Sequence, residues 1–273
     1  MAQWRYFLGT GDADWLRQCG YPVLRDVADF WASRVSEVVH ADQYEIRDVT
    51  GPNGAIAHVD DDAYTNAIAR RVMEAATEAA HRLGVSAKPE WARIAPKIVL
   101  PFDPQNERHL EHAGDFEGKY AHTVPMLSYP LEMDLSGQVK RNDLDLALRN
   151  FGKPGYEVGM LGNFYSIVAC ELGDGELAYR LFLETMRSYA KPPFYAMSET
   201  PGNNRFTFLT AEGALLQQVI FGFMGLRLSS DGLSPRFRPI LPPDRQSLEL
   251  RGINLNGKRR TVRVQPGGKL TIE

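Results

Sequence analysis

Three carboxylates lie in segments that the sequence predicts to be loops. They are Glu199 in YAMSETPGNNRF, Asp115 in HAGDFEGKY and Asp48 in YEIRDVTGPN. Sugar sites combine carboxylates with Asn, Gln or Arg donors and with aromatic rings, and a pair of carboxylates can hydrolyse a glycosidic bond. Most loop carboxylates are only solvated, so composition alone indicates a sugar site weakly.

Two other groups of polar residues have simpler interpretations. His109 and His112 in HLEH have the residue type of metal ligands but no third ligand, so we expect structural or solvated histidines. The run 60–62, three aspartates, could bind calcium, but a helix N-terminal cap is the preferred interpretation. The sequence contains no P-loop, no dinucleotide-binding glycine motif and no HExxH motif.

The composition is that of an ordinary globular protein. The chain has 273 residues, 44% apolar and 24% charged, which allows one large domain or two small ones. A net charge of −3 argues against a general nucleic-acid binder. No apolar run approaches ~18 residues and no signal peptide is evident, so we predict no membrane contact. Cys19 and Cys170 are too few for a disulfide framework, and the default prediction is a cytoplasmic location.

Apolar residues recur at helical spacing through most of the chain before Leu226. The pattern predicts helices over about 21–38, 60–83, 89–98, 160–168, 177–186 and 211–224. The last of these is apolar nearly all round, so we expect it to be buried. The predicted loops are 40–59, 100–140 and 191–210, and long loops in a compact chain are usually functional.

Beyond Leu226 the pattern changes to alternation of polar and apolar residues. Residues 247–250, 261–264 and 269–272 alternate in this way, with turn signals at Asn256-Gly257 and Gly267-Gly268. They predict antiparallel strands with one solvated face. We therefore expect helical hairpins followed by a small β module, with strands only after Leu226.

Five segments follow one another along the chain: YPVLRDVADFWASRV (21–35), YEIRDVTGPN…HVDDDAYTNA (44–67), LPFDPQNERHLEHAGDF (100–116), MLSYPLEMD (126–134) and MSETPGNNRF…GLSPRFRPILPP (197–243). Together and in this order they resemble glycoside hydrolase family 65, which includes acid trehalases, disaccharide phosphorylases and glucosidases acting on glucosylgalactosyl-hydroxylysine. The resemblance covers about residues 10 to 250. The YPL segment and the Ser-Glu loop are most similar to the hydrolase branches.

The resemblance implies a mainly α fold. The family's catalytic core is an (α/α)6 barrel of twelve helices with a β-sandwich after it. The chain resembles its C-terminal half: a partial (α/α)6 toroid of helical hairpins over 1–225, followed by a truncated antiparallel β module over 226–273. A half-barrel leaves apolar helix faces uncovered, which predicts self-association or a missing N-terminal half.

The resemblance also implies roles for individual residues. In GPNG the position of the family's general acid is Gly54, so the acid is lost. Glu199 of the Ser198-Glu199 pair matches the general base. Tyr120 and His122 stand in the run that replaces the family's Lys-Gln-Ala-Asp, and could still contact sugar.

Two further residues, Asn203 and Arg205, complete the predicted substrate-binding set. We expect the loops that carry Gly54, Asp115 and Glu199 to face one shared cleft.

The implied function is inverting hydrolysis of an α-glucosidic bond, impaired because Gly54 cannot donate a proton. The implied substrate is an α-glucoside or disaccharide, without metal or organic cofactor. The alternatives are a catalytically inactive carbohydrate-binding or assembly fragment, a disaccharide phosphorylase, or a helical scaffold without a sugar role.

Overall fold

Helices make up most of the chain before residue 226 in the computed structural model, which describes residues 1–38, 41–119, 121–153, 158–203 and 207–273. The helices are α1 Ala2–Thr10, α2 Ala13–Trp15, α3 Tyr21–Arg34, α4 Ala63–Leu83, α5 Pro89–Ile94, α6 Gly137–Leu148, α7 Leu161–Glu171, α8 Gly175–Tyr189 and α9 Leu209–Gln217. Segments of π-helix follow α2 and α9, at Leu16–Gly20 and Gln218–Phe223. Among the residues that the structure describes, no helix is both long and apolar enough to cross a lipid bilayer.

Local signals define the ends of α4. The Asp62 carboxylate accepts a hydrogen bond of 2.7 Å from the Thr65 amide at the start of the helix. Gly84, at φ 69°, ends the helix in the left-handed conformation that favours glycine. The interpretation of the aspartate run as a helix cap is therefore confirmed.

The predicted hairpin of α7 and α8 forms the central core. Every residue of α7 from Leu161 to Cys170 is buried. Asp174 caps α8 by accepting from the Leu177 amide at 3.1 Å. At Gly162 an added Cβ would lie 2.0 Å from the Thr185 hydroxyl, so glycine permits the close approach of the two helices.

Three helices were not predicted from the pattern: α1, α2 and α6. Helix α6 begins inside the predicted loop 100–140, with Ser136 as its cap. Its buried face includes Lys140 and Asp143 beside Leu144. Charged residues on the buried face hide the apolar periodicity on which the prediction relied.

The last helical segment is less buried than expected. Leu216 is 66% exposed, so the prediction of a buried helix over 211–224 is wrong for this outer face. The described part of the chain also has short antiparallel pairs of strands before Leu226, although strands were expected only after that residue. They are β1 Ser36–Val38 with β2 Gln43–Glu45, β3 Phe102–Asp103 with β4 Arg108–His109, and β5 Ala190–Lys191 with β6 Ala196–Met197.

The β module contains the predicted strands. A hairpin of β7 Leu226–Ser229 and β8 Gly232–Pro235 precedes a three-stranded antiparallel sheet. That sheet has the order β11-β10-β9, with β9 Leu248–Leu255, β10 Lys258–Gln265 and β11 Lys269–Ile272. Helix α1 also contacts this module, because the Asn256 amide donates to the Gly9 carbonyl at 2.9 Å.

A buried ion-pair network joins the helices to the β module. Glu171 at the end of α7 accepts from Lys140 Nζ at 2.7 Å and from the Arg227 guanidinium at 2.9 Å. The three side chains are 7–12% exposed. The Arg227 guanidinium also lies 4.7 Å from the centre of the Tyr129 ring.

We expect Glu171→Gln to lower the free energy of unfolding by about 3 kcal/mol, because it leaves two nearly buried cations without their shared anion. Urea denaturation followed by circular dichroism measures this. Glu176→Gln on the first turn of α8 is the control, and should change stability by less than ~1 kcal/mol. Equal effects of the two substitutions would show that the network adds nothing.

Candidate active site

One cavity of about 290 Å³ brings together four separated segments of the chain. It is lined by Pro52, Asn53, Gly54, His122, Thr123, Met126, Val158, Met160, Leu161, Glu199 and Phe208. Gly54, His122 and Glu199, three of the predicted site residues, therefore share one cavity. Asp115 itself does not line it, but its predicted loop, 100–140, contributes His122, Thr123 and Met126.

The backbone around Glu199 is held from several sides. The Glu199 carbonyl accepts from the Gly159 amide at 2.8 Å, and the Ser198 amide donates to the Tyr189 carbonyl at 3.0 Å. At Gly159 an added Cβ would lie 2.4 Å from the Ser198 carbonyl oxygen, so this segment packs closely against the Glu199 loop. The half-buried residue Glu199 thus lines the cavity from a loop that these hydrogen bonds hold in place.

The surroundings of Gly54 differ from those of Gly51 in the same loop. At Gly51 an added Cβ would lie 2.1 Å from the Asp62 carboxylate, so glycine is required there. At Gly54 an added Cβ meets nothing within 4 Å. Neither crowding nor a left-handed backbone therefore requires glycine at position 54.

A buried carboxyl group, Glu111, lies directly behind the wall of the cavity. Its side chain is completely inaccessible to solvent. One carboxyl oxygen lies 2.8 Å from the Thr123 hydroxyl and the other accepts from the Thr123 amide at 3.0 Å. Burial raises the pKa of Glu111 to about 8, against the opposing effect of the two Thr123 hydrogen bonds and with a smaller contribution from the carboxylates of Asp62 and Asp115. Glu111 is therefore mainly protonated at neutral pH.

Sequence reasoning missed Glu111. It considered HLEH only as a pair of histidines, and no local signal shows that the residue between them is buried. Contact with Thr123, twelve residues further on, is a property of the folded loop.

The other acidic residues near Gly54 have structural partners. Asp48 is exposed and lies 2.7 Å from His58, while Asp60 accepts from the Asp48 amide at 2.9 Å. Asp61 accepts from the Ile46 amide at 2.9 Å. Burial raises the pKa of Asp61 and of Asp62. Of the carboxylates in the described part of the chain, Glu199 is the one that lines the cavity.

The two histidines of HLEH have different hydrogen-bond partners. His109 is buried with its Nδ1 2.8 Å from the Asp143 carboxylate, which confirms the structural interpretation. The Nδ1 atom of His112 forms a hydrogen bond of 2.9 Å with the Ala113 carbonyl. The described ranges contain no group of three or more His, Cys, Asp or Glu side chains placed to hold a metal ion.

The structure describes two of the four residues predicted to contact substrate, His122 and Asn203. Tyr120 and Arg205 lie outside the described residues. The Asn203 amide donates to the Thr200 carbonyl at 3.2 Å in the turn after Glu199, and Asn203 does not line the cavity. His122 does line it, and burial lowers the pKa of its imidazole, which favours the neutral form.

Comparison with known proteins identifies related chains. A family profile described as the central catalytic domain of glycosyl hydrolase family 65 matches residues 1–145. A kojibiose hydrolase of Flavobacterium johnsoniae is 33% identical over 260 residues, which are 94% of this chain and 38% of that protein. A protein-glucosylgalactosylhydroxylysine glucosidase of Danio rerio is 36% identical over 240 residues, 86% of this chain and 35% of the relative.

A solved structure shares the fold. It is described as a kojibiose phosphorylase from the human microbiome, and it superposes with a TM-score of 0.71 at 16% identity. The match covers 99% of this chain and 44% of that one. This chain thus spans under half of the solved structure and about two fifths or less of the two curated relatives.

Proposed function

Because this chain belongs to glycoside hydrolase family 65, we propose that its cavity is a glycosidase site for an α-glucoside. Glu199 is the proposed base and position 54 is the place of the missing acid. The observation that carries the proposal is the shared cavity: residues 145 positions apart in sequence, Gly54 and Glu199, line the same space. The names of the relatives in Flavobacterium johnsoniae and Danio rerio favour hydrolysis of an α-glucoside.

The proposed reaction is inverting. Glu199 takes a proton from a water molecule, whose oxygen attacks the anomeric carbon on the face opposite the leaving oxygen. The leaving oxygen must gain a proton unless it is already a stable anion. Gly54 offers none, so we expect the reaction rate to depend strongly on the leaving group.

The proposed architecture is a partial (α/α)6 toroid. The antiparallel pair α7 and α8 supports it, as does the solved neighbour, of which this chain covers 44%. Helix α3 presents an apolar stripe, Val23, Val27 and Phe30, whose residues are 37–53% exposed. Such a stripe is typical of a surface that packs against further helices, so self-association or a separate first half of the barrel is part of the proposal.

A boundary near residue 226 and a cytoplasmic location stay predictions.

A carbohydrate-binding module without catalysis is the second candidate. Gly54 favours it, because a site that has lost its acid can retain affinity for sugar. A phosphorylase would need a site for the phosphate anion near Glu199. Arg205, which the sequence analysis places in the substrate-binding set, is a cation close to Glu199 in sequence, and it lies outside the described residues.

Substrate selectivity tests the proposed function. We expect the chain to release fluoride from α-glucosyl fluoride, whose leaving group needs little protonation. Cleavage of kojibiose and trehalose should be ~10²–10⁴-fold slower than by a family member with its acid in place. A fluoride electrode and a glucose assay measure the two rates.

The product and the effect of phosphate distinguish the alternatives. Hydrolysis gives β-glucose in the first turnovers and is independent of phosphate, whereas phosphorolysis requires phosphate. Binding of kojibiose without any fluoride release would support the carbohydrate-binding module and contradict the glycosidase.

A further inference from the structure

We propose that Glu111 supplies, through the hydroxyl of Thr123, the proton that the leaving oxygen would otherwise take from an acid at position 54. The inference rests on the proposed glycosidase function and adds a positioning residue to it. Glu111 does not touch substrate in this arrangement. It acts through Thr123, which lies on the cavity wall.

The geometry provides a short path from the buried carboxyl to the cavity. The Thr123 hydroxyl donates to one oxygen of Glu111 at 2.8 Å, a good O–H···O distance. In the relay this hydrogen bond reverses, because the protonated carboxyl group donates to the Thr123 oxygen. The Thr123 amide donates to the other oxygen at 3.0 Å and fixes the orientation of the carboxyl group. The wall itself is fixed, because Tyr165 on α7 donates to the His122 carbonyl at 2.8 Å.

Burial favours the protonated form of Glu111 and outweighs the two Thr123 hydrogen bonds, which favour the carboxylate. Asp62 at the start of α4 and Asp115 in the following loop are both carboxyl groups that raise the pKa of Glu111. Tyr165 on α7 is neutral near pH 8, since burial raises its pKa well above the ordinary value. The imidazole of His122 on the cavity segment favours its neutral form, as described above. With burial as the main cause, the pKa of Glu111 is about 8, so the proton is present at neutral pH.

The proton reaches the leaving oxygen in two transfers along two hydrogen bonds. The bond between the anomeric carbon and the leaving oxygen breaks, and that oxygen takes the hydroxyl proton of Thr123. Thr123 takes the proton of Glu111, which becomes a carboxylate. Glu199 keeps the proton from the attacking water. Exchange with water in the cavity then returns a proton to Glu111 and removes one from Glu199, so no further reactant is needed.

A pair of substrates separates this inference from the proposed function. Hydrolysis of α-glucosyl fluoride requires the base alone, so it reports whether the site is a glycosidase. The slow hydrolysis of kojibiose requires a proton as well, so it reports the relay. We expect Glu111→Gln to lower the ratio of the kojibiose rate to the fluoride rate by ~10²-fold.

The path is tested with two substitutions of Thr123. Thr123→Ser keeps the hydroxyl and should retain the kojibiose rate, whereas Thr123→Val keeps the shape without the hydroxyl and should lose it. Circular dichroism spectra and melting temperatures equal to those of the parent chain show that each variant is still folded.

The pH profile is a readout that a purely structural role would not change. The donor form of Glu111 exists below its pKa, so the kojibiose rate of the unchanged chain should fall ~tenfold per pH unit above about pH 8. The fluoride rate should not show this decrease. No kojibiose hydrolysis at all, or the same decrease in Glu111→Gln, would overturn the relay while leaving the fluoride test of the glycosidase intact.

Discussion

Gly54→Glu should raise the rate of kojibiose hydrolysis by ~10²–10⁴-fold, the usual contribution of a general acid. Position 54 lies on the same cavity as Glu199, and the family resemblance places the acid there. An added side chain meets no atom within 4 Å of its Cβ, so the substitution requires no rearrangement of the loop. The rate on α-glucosyl fluoride should change little, because fluoride leaves without a proton.

The matched control is Gly54→Gln, which has nearly the same volume and cannot donate an acidic proton. Equal kojibiose rates for Gly54→Glu and Gly54→Gln would show that position 54 is not the place of the acid. The introduced acid should also make Glu111 unnecessary. Glu111→Gln, which slows the parent chain, should then have little effect in the Gly54→Glu background.

Local features of the fold could be predicted from the sequence because their causes are local. The Asp62 cap, the left-handed Gly84 and the turn before α8 each depend on a few neighbouring residues. The alternation in the tail likewise predicts β9, β10 and β11, because a sheet with one solvated face imposes a period of two.

Features that depend on distant contacts could not be predicted in this way. Helix α6 buries Lys140 against Glu171, 31 residues away, so its charged residues suggested a solvated loop. Leu216 is exposed although the surrounding sequence is apolar, because burial depends on which neighbours are present.

The candidate site likewise combines features that the sequence could predict with features that depend on distant contacts. Spacing alone gave no reason to pair Gly54 with Glu199, and only the resemblance placed both in one site. The structure supports the shared cavity through contacts such as that of Gly159 with the Glu199 carbonyl. Glu111 is the opposite case: no motif marks it, and its importance follows from its burial and from the Thr123 hydroxyl.

Glu199→Gln should lower the rate of fluoride release from α-glucosyl fluoride by ~10²–10⁴-fold. Gln has the shape of Glu but cannot take a proton from water, so the loop held by Gly159 and Tyr189 should stay in place. Asp48→Asn is the matched control. It also removes a loop carboxylate, but Asp48 does not line the cavity, and the fluoride rate should be unchanged.

Azide distinguishes the loss of a base from the loss of the site. Azide attacks as an anion and needs no proton removed, so it should restore consumption of α-glucosyl fluoride in Glu199→Ala, where space for the anion is available. Attack on the face opposite fluoride gives β-glucosyl azide, which NMR identifies. If Glu199→Gln leaves fluoride release unchanged, Glu199 is not the base. If fluoride release is lost and azide yields no β-glucosyl azide, the carboxylate shapes the cavity rather than activating water.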